Sequence, residues 1–155
     1  MITLKRTNSN NPDFIKLVKE LDIDLVGYYK EETSFYDALN IINKIEYVVV
    51  AYTENEVPVG CGGIKEFSKT EIELKRMYVP PAYRGKGIAS MVLNALENWA
   101  YELNYTKCIL ETLHKKTYAI AFYKKNNYKQ TPNFGDYVKA KNSICFAKPI
   151  KLINL

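Results

Sequence analysis

The chain has 155 residues and a formal net charge of +5; 47% of its residues are hydrophobic and 25% are charged. This size and composition predict one globular domain over residues 1–155 and exclude an intrinsically disordered chain. Lysine and arginine are scattered rather than clustered, which argues against a nucleic-acid partner, and no apolar run is long enough to cross a bilayer.

The N-terminal half predicts a strand and a helix, followed by a meander of three strands. Alternating side chains indicate a strand over residues 2–7, and Asn11 with Pro12 is a typical N-cap and first turn of a helix. Residues 28–43 combine aromatic and acidic side chains and are compatible with a short second helix. Runs rich in β-branched and aromatic residues predict the meander over 46–53, 57–67 and 70–79.

The C-terminal half predicts a long helix, then a strand, a helix and two closing strands. Apolar residues recur at helical spacing between 87 and 103. The later elements are a strand over 108–112, a helix over 117–125, and closing strands from 128 onward and over 143–148. In the second strand of the meander, Gly60, Gly62 and Gly63 suggest that the long helix or a ligand packs closely against its face.

The segment that precedes the long helix has the chemistry of an anion-binding loop. Its residues are Arg84, Gly85, Lys86, Gly87, Ile88, Ala89 and Ser90. The first N–H groups of a helix have no partner within the helix and carry partial positive charge. The two glycines let an anion approach the main chain, and the two basic side chains add full positive charges. We therefore expect a diphosphate to bind here.

Two motifs in this order carry a resemblance to a known family. Arg84-x-x-Gly87-x-Ala89 resembles the acyl-CoA pyrophosphate loop of the GCN5-related N-acetyltransferases (GNAT family). Downstream, the segment 119–128, with its alanine, tyrosine and closing tyrosine, is similar to that family's Ala-x-x-x-Tyr-x-x-x-Gly-Phe/Tyr helix. The resemblance extends from Val57 to Pro149 and is less clear toward the N-terminus.

The resemblance implies an α/β (α+β) fold with a mixed, mostly antiparallel sheet of about seven strands and helices on both faces. The fourth and fifth strands run parallel, are joined by the long helix, and splay apart at their C-terminal ends. Acetyl-CoA is the expected co-substrate and lies in the splay. The residues expected to hold it are Met77, Tyr78, Val79, Arg84, Gly85, Lys86, Gly87, Ile88, Ala89, Ser90, Lys116, Ala119, Phe122 and Tyr123.

The resemblance further implies an N-acetyltransferase that moves the acetyl group directly to a primary amine within a ternary complex. Tyr123 is the expected proton donor to the departing thiolate, because a phenol has a pKa of about 10 and a thiol of about 8.5. Its helix end is expected to be solvated. Glu111 and Glu73 are nearly equal candidates for the base that deprotonates the amine, and His114 is a third. Backbone N–H groups of the fourth strand would polarise the thioester carbonyl.

Two positions depart from the family pattern. Lys116 stands where many members have an asparagine that binds the pantetheine arm, and a lysine there could reach a phosphate instead. Asn127 replaces a glycine, and because asparagine tolerates left-handed backbone geometry, the turn is expected to survive. Residues 28–43 and 133–137 are expected to recognise the acceptor, for which a small-molecule amine is favoured over a protein N-terminus or lysine.

Other functions stay open from the sequence. A Rossmann dinucleotide site has a similar GxG pattern with Glu111 at a suitable distance, but residues 80–84 separate the strand from the glycines. A catalytically silent CoA-binding or regulatory module, a protein or peptide N-acetyltransferase, and a basic nucleic-acid binder are further alternatives.

The histidine and cysteine content predicts no metal site. His114 is the single histidine, and Cys61, Cys108 and Cys145 have no CxxC spacing. The cysteines are expected to be reduced core residues of a cytoplasmic protein. No membrane association is expected, and the chain is compatible with a homodimer.

Overall fold

The computed structural model describes residues 1–29 and 45–151. In these ranges it contains three α-helices and seven strands of one sheet. In chain order the elements are β1 (Thr3–Thr7), α1 (Pro12–Tyr29), β2 (Tyr47–Tyr52), β3 (Pro58–Glu66), β4 (Glu71–Tyr78), α2 (Ile88–Glu102), β5 (Lys107–Leu113), α3 (Thr117–Lys125), β6 (Lys129–Thr131) and β7 (Ser143–Pro149). None of the helices in these ranges is both long and apolar enough to cross a bilayer.

Apart from the second helix expected in 28–43, the predicted elements are confirmed, and their predicted ends differ from the observed ones by at most one residue. At the start of α1, the Asn11 side-chain oxygen accepts hydrogen bonds from the N–H groups of Asp13 at 2.8 Å and Phe14 at 3.1 Å, which confirms the predicted N-cap. The segment 28–43 was expected to hold a short second helix. Its first two residues belong to α1, and residues 30–43 lie outside the described residues.

The sheet has the mixed topology that the resemblance implies. Its strand order is β1-β2-β3-β4-β5-β7-β6, and every neighbouring pair is antiparallel except β4 and β5. The parallel pair is short, because only Glu71–Glu73 of β4 pair with Lys107–Ile109 of β5. Beyond this point β5 continues to pair with β7 along its whole length, so β4 and β5 separate at their C-terminal ends. The predicted splay is confirmed.

A β-bulge in β4 changes which face its later side chains occupy. Lys75 pairs with Gly63 of β3, but the next pair is Tyr78 with Cys61, so β4 has one extra residue in this interval. Arg76 lies inside the bulge with a φ of +60°, in the left-handed region that L residues rarely adopt. Side chains after the bulge therefore point opposite to the faces that simple alternation would give.

The helices cover both faces of the sheet. On one face, Phe14, Leu17 and Leu21 of α1 pack in a core with Val48 and Val50 of β2. On the opposite face, α2 and α3 pack against the other side of the same sheet. Successive residues of a strand point to opposite faces, so β2 is buried on both sides. This confirms the predicted arrangement of helices.

The glycines of β3 allow α2 to lie close to the sheet. A Cβ atom on Gly60 would lie 2.8 Å from Ile88 Cγ2, and one on Gly62 would overlap Met77 Sδ and lie 2.9 Å from Leu96 Cδ1. These contacts are shorter than side chains tolerate, so larger residues would push α2 away. The helix, rather than a ligand, explains Gly60 and Gly62.

A buried carboxylate ties α2 to the C-terminal strands. Glu97 is 3% exposed and accepts hydrogen bonds from Tyr128 OH at 2.7 Å and from Lys148 Nζ at 2.8 Å. We call these three residues the Glu97 network. Because charges buried in this way depend on their partners, removal of one partner is expected to destabilise the fold strongly.

Candidate active site

A cavity of about 440 Å³ opens where β4 and β5 separate. Its walls come from strands β4 and β5, from the loop before α2, from helix α3, and from two leucines of α1. This volume suits a small ligand or part of a larger one. With the exception of Lys86, every residue that the sequence predicted for acyl-CoA binding or for catalysis at Tyr123, Glu111 and Glu73 lines this cavity.

The loop before α2 presents its main chain to the cavity. Gly85 and Gly87 have φ values of +78° and +79°, and a Cβ atom on either residue would meet nothing within 4 Å. No side chain caps α2 at Gly87, and Met91 donates the hydrogen bond that reaches back to the Gly87 carbonyl. The three N–H groups between them therefore have no acceptor within the helix. Such amides, beside open space, fit a diphosphate.

The basic side chains of the loop have different environments. Arg84 donates from Nε to the Val79 carbonyl at 2.8 Å, and its guanidinium lies 5.8 Å from the ring centroid of Tyr78. This contact holds the loop against the end of β4 and keeps the Arg84 charge at the cavity. Lys86 instead lies with Nζ 5.6 Å from the ring centroid of Tyr83 and does not line the cavity.

Tyr123 is buried, in contrast to the solvated helix end expected from the two lysines that follow it. Tyr123 is 8% exposed. Its ring packs edge to face against Phe122, with the ring centroids 5.2 Å apart, and against Tyr128, with the centroids 5.8 Å apart. Burial raises the pKa of its phenol well above the ordinary value. The hydroxyl therefore keeps its proton over the whole physiological pH range and is available as a hydrogen-bond donor.

Glu111 is a partly buried carboxyl on β5 with one hydrogen-bond donor described beside it. Ser143 donates to its Oε2 at 2.6 Å. Burial raises the pKa of Glu111 to about 7, the Ser143 hydrogen bond opposes this, and the nearby Glu73 charge adds to it. A carboxyl with a pKa near neutrality can both accept and release a proton under physiological conditions.

Glu73 has a different electrostatic environment on β4. Its Oε2 lies 3.5 Å from Lys75 Nζ and accepts a hydrogen bond from Tyr137 OH at 3.1 Å. The same tyrosine oxygen accepts a hydrogen bond from Lys75 Nζ at 3.4 Å. Glu73 is therefore held by an ion pair and a tyrosine hydrogen bond, whereas Ser143 is the side chain that donates to Glu111.

Comparison with protein families supports what this geometry indicates. Residues 14–128, more than half of the chain, match the model of the Acetyltransferase (GNAT) family. The chain belongs to the GNAT family. GNAT enzymes are acyl-CoA-dependent N-acyltransferases, and this confirms the enzyme class and the acetyl-CoA co-substrate that the two motifs implied.

GNAT relatives align with most of the chain. IAA acetyltransferase from Azospirillum brasilense is 27% identical over 150 residues, covering 96% of this chain and 98% of the relative. The uncharacterised N-acetyltransferase YjgM from Escherichia coli strain K12 is 45% identical over 128 residues, covering 76% and 75%. A provisionally named acyl-CoA N-acyltransferase structure from Klebsiella pneumoniae subsp. pneumoniae MGH 78578 superposes with a TM-score of 0.80 at 25% identity, covering 97% and 99% of the two chains.

Both departures from the GNAT pattern are accommodated. Asn127 has a φ of +71°, so the left-handed turn expected after α3 is present without the glycine. Lys116 precedes α3 and lines the cavity, with Nζ 5.4 Å from the ring centroid of Tyr118. Its predicted contact with the co-substrate stays a prediction.

Some of the predicted candidates lie away from the cavity between β4 and β5. His114 lines a separate, open depression beside Asn133 and does not line the cavity that holds Glu111. Asn133 donates hydrogen bonds to the Tyr137 and Ser143 carbonyls, both at 3.1 Å, so it braces its own loop. Of the segment 133–137, only Tyr137 reaches the cavity.

Some residues that line the cavity between β4 and β5 were not singled out in the sequence. Leu21 and Leu25 belong to the apolar stripe of α1, which predicts a core position but not a cavity wall. Lys75 and Arg76 lie on β4 among residues that alternate between buried and partly buried positions. Arg76 could have been identified as a candidate because it is a charged residue within a strand that was expected to be buried. Among the described residues, no group of three or more His, Cys, Asp or Glu is placed to hold a metal ion.

Proposed function

We propose that the chain moves the acetyl group of acetyl-CoA directly onto the primary amine of a small molecule. The observation that carries this proposal is one cavity, at the splay, that brings together the amides that open α2, the Glu111 carboxyl and the Tyr123 phenol. Acetyl-CoA supplies an activated acyl group as a thioester. The chain must bind it, deprotonate the amine and stabilise the leaving sulfur.

The proposed donor site uses main-chain groups at two places. The N–H groups that open α2 would bind the diphosphate, and the Arg84 charge beside them would add to its affinity. Residues of β4 beyond Glu73 have no strand partner on the β5 side, so their backbone groups are proposed to bind the pantetheine arm. The thioester carbonyl would then lie near the N–H groups of Met77 or Val79.

We propose Glu111 as the base. Its pKa of about 7 lets it take a proton from the ammonium group and later release that proton to solvent. Glu73 is proposed to act indirectly, since its ion pair with Lys75 and its hydrogen bond from Tyr137 fix the wall opposite the base.

Tyr123 is proposed to donate a hydrogen bond to the departing sulfur. Because burial raises the phenol pKa far above that of a thiol, complete transfer of its proton would be uphill. A strong hydrogen bond to the developing thiolate stabilises the transition state without that cost. The final proton of the thiol would then come from the solvent.

A small-molecule acceptor is supported by the way α1 closes one side of the cavity. Leu21 and Leu25 line it together with Tyr137 from the loop before β7. Side chains from separate parts of the fold enclose the space next to Glu111, and such an enclosure suits a compact amine better than an extended polypeptide.

A thiol-release screen tests the proposal. Purified chain and acetyl-CoA are incubated with amines, polyamines, amino acids and short peptides, and free coenzyme A is measured against a reaction without acceptor. We expect release that depends on a small amine. Release with peptides alone would assign a protein or peptide acceptor, and release that no amine increases would favour a silent CoA-binding module.

A further inference from the structure

A buried guanidinium faces the acceptor side of the cavity with unused hydrogen-bond donors. The Arg76 side chain is 3% exposed and lines the cavity. Its Nη2 bonds to the Asp22 carboxylate of α1. Within the described part of the chain, its Nε and Nη1 have no hydrogen-bond partner. A buried donor without an acceptor is costly, and a charged one more so, which indicates that a ligand completes the site.

The position of Arg76 follows from the bulge in β4. Simple alternation would place its side chain beside Ile72 and Leu74, in the core under α2. The extra residue in β4 and the φ of +60° turn it toward α1 instead. A residue held in this strained conformation needs the rest of the fold to maintain it, and such strain is common at ligand sites.

The charge around Arg76 is only partly balanced. Asp22, its ion-pair partner, has a side chain that is 56% exposed, so water screens much of its charge. Lys75 and Glu73, the other charged residues of β4 that line the cavity, pair with each other, while Glu20 and Asp24 of α1 add negative charge near Tyr78. The diphosphate is expected at the start of α2, which packs on the opposite face of the sheet from α1. The unused Arg76 donors therefore suit a second anion.

We infer, on the basis of the proposed function, that the acceptor is an amino acid and that Arg76 binds its carboxylate. The planar guanidinium matches the two oxygens of a carboxylate. Arg76 and the proposed base Glu111 line the same cavity, and the inference places the carboxylate of the acceptor at the first and its amine at the second. Leu21 and Leu25 line the wall beside Arg76, which favours an apolar side chain on that amino acid.

Matched acceptor pairs test this inference. L-Methionine and L-phenylalanine are each compared with their carboxamides, which keep the amine and the side chain and lack the negative charge. We expect kcat/KM at least about tenfold higher for the acids, the size of effect that one charge-assisted hydrogen bond gives. Equal values, or faster reaction of the amides, would overturn the inference while leaving the proposed N-acetyltransferase in place.

Two variants attribute the preference to Arg76. Arg76→Met keeps a long apolar side chain, and we expect it to bring the ratio of acid to amide close to one. Asp22→Asn leaves the guanidinium with its charge uncompensated, and we expect the ratio to hold or increase. A preference for the acid that survives in Arg76→Met would remove Arg76 from the acceptor site.

Binding is measured separately, so that a chain without transfer activity still answers the question. With coenzyme A present, L-methionine should raise the unfolding temperature of the wild type more than L-methioninamide does. The rise in unfolding temperature with L-methionine should be larger still in Asp22→Asn. This variant also tests the inference if Arg76→Met does not fold. Equal shifts for acid and amide would refute carboxylate binding, whatever the outcome of the transfer assay.

Discussion

Replacement of Glu111 by glutamine should lower activity and raise stability together. Glutamine has nearly the same shape as glutamate, and its carbonyl can still accept the hydrogen bond from Ser143. It has no charge, so it cannot take a proton from the amine. General-base catalysis contributes about 10²- to 10⁴-fold in rate, and we expect kcat to fall by this amount.

The stability change can be estimated from the pKa of Glu111. That pKa is about 7 in the fold against 4.5 for a free carboxyl, and at 1.36 kcal/mol per pKa unit the difference corresponds to about 3 kcal/mol. Below pH 4.5 both the folded and the unfolded states hold the proton, so the carboxyl contributes nothing. Between pH 4.5 and 7 only the unfolded state releases it, so stability decreases as pH rises, and above pH 7 the full penalty applies.

The glutamine variant removes this penalty. At pH 8 it should therefore be more stable than the wild type by up to about 3 kcal/mol, which is about 6–12 °C in unfolding temperature for a chain of this size. At pH 4 the two proteins should unfold together. The assay combines thermal or urea unfolding at both pH values with kcat between pH 5.5 and 9, where the wild-type kcat should rise to a plateau with an apparent pKa near 7.

Glu73→Gln is the matched control, because it removes a carboxylate from the same cavity. It should lose the Lys75 ion pair, and because burial is the main cause of the raised Glu111 pKa, it should keep most of the wild-type loss of stability at high pH. The reasoning about Glu111 is refuted if Glu111→Gln keeps wild-type kcat at pH 8, or if the two glutamine variants show the same dependence of stability on pH.

Three further predictions concern other parts of the molecule. Tyr123→Phe should lower kcat by about tenfold or more while coenzyme A affinity by calorimetry stays close to that of the wild type; an unchanged kcat would exclude the hydroxyl from the reaction. Gly87→Ala should cost about 1 kcal/mol through its φ of +79° and weaken coenzyme A binding. The matched Gly27→Ala, in α1 with open space around it, should add about 0.5–1 kcal/mol and leave binding unaltered. Glu97→Ala leaves the two other members of the Glu97 network without their acceptor and should cost about 3–5 kcal/mol in urea unfolding; a loss under 1 kcal/mol would contradict the buried ion pair.

Local patterns in the sequence were sufficient to predict the elements and the glycine loop before α2. Each strand and helix has its own period, cap or turn residues, and these act over a few neighbouring positions. The loop from Arg84 to Ser90 is likewise local, since its glycines and the start of α2 adjoin each other in the chain. The splay of β4 and β5 could be predicted only from the resemblance to the GNAT family, because strand pairing is not a local property.

Tertiary structure decided the environments of the two acids and of Tyr123. Glu73 and Glu111 look alike in the sequence, and they differ because one meets Lys75 while the other is buried beside Ser143. Tyr123 is buried although two lysines follow it, because its ring packs against Tyr128 across the turn.

Arg76 shows most clearly the limit of prediction from the sequence. Alternation along β4 would assign its side chain to the α2 face, and the bulge opposite β3 moves it to the α1 face. The sequence by itself therefore determined the strands, the helices and the glycine loop before α2, whose interactions lie within short segments. The charges, burial and orientation of Glu73, Glu111 and Arg76 depend on residues far apart in the chain, so only the assembled fold could assign them.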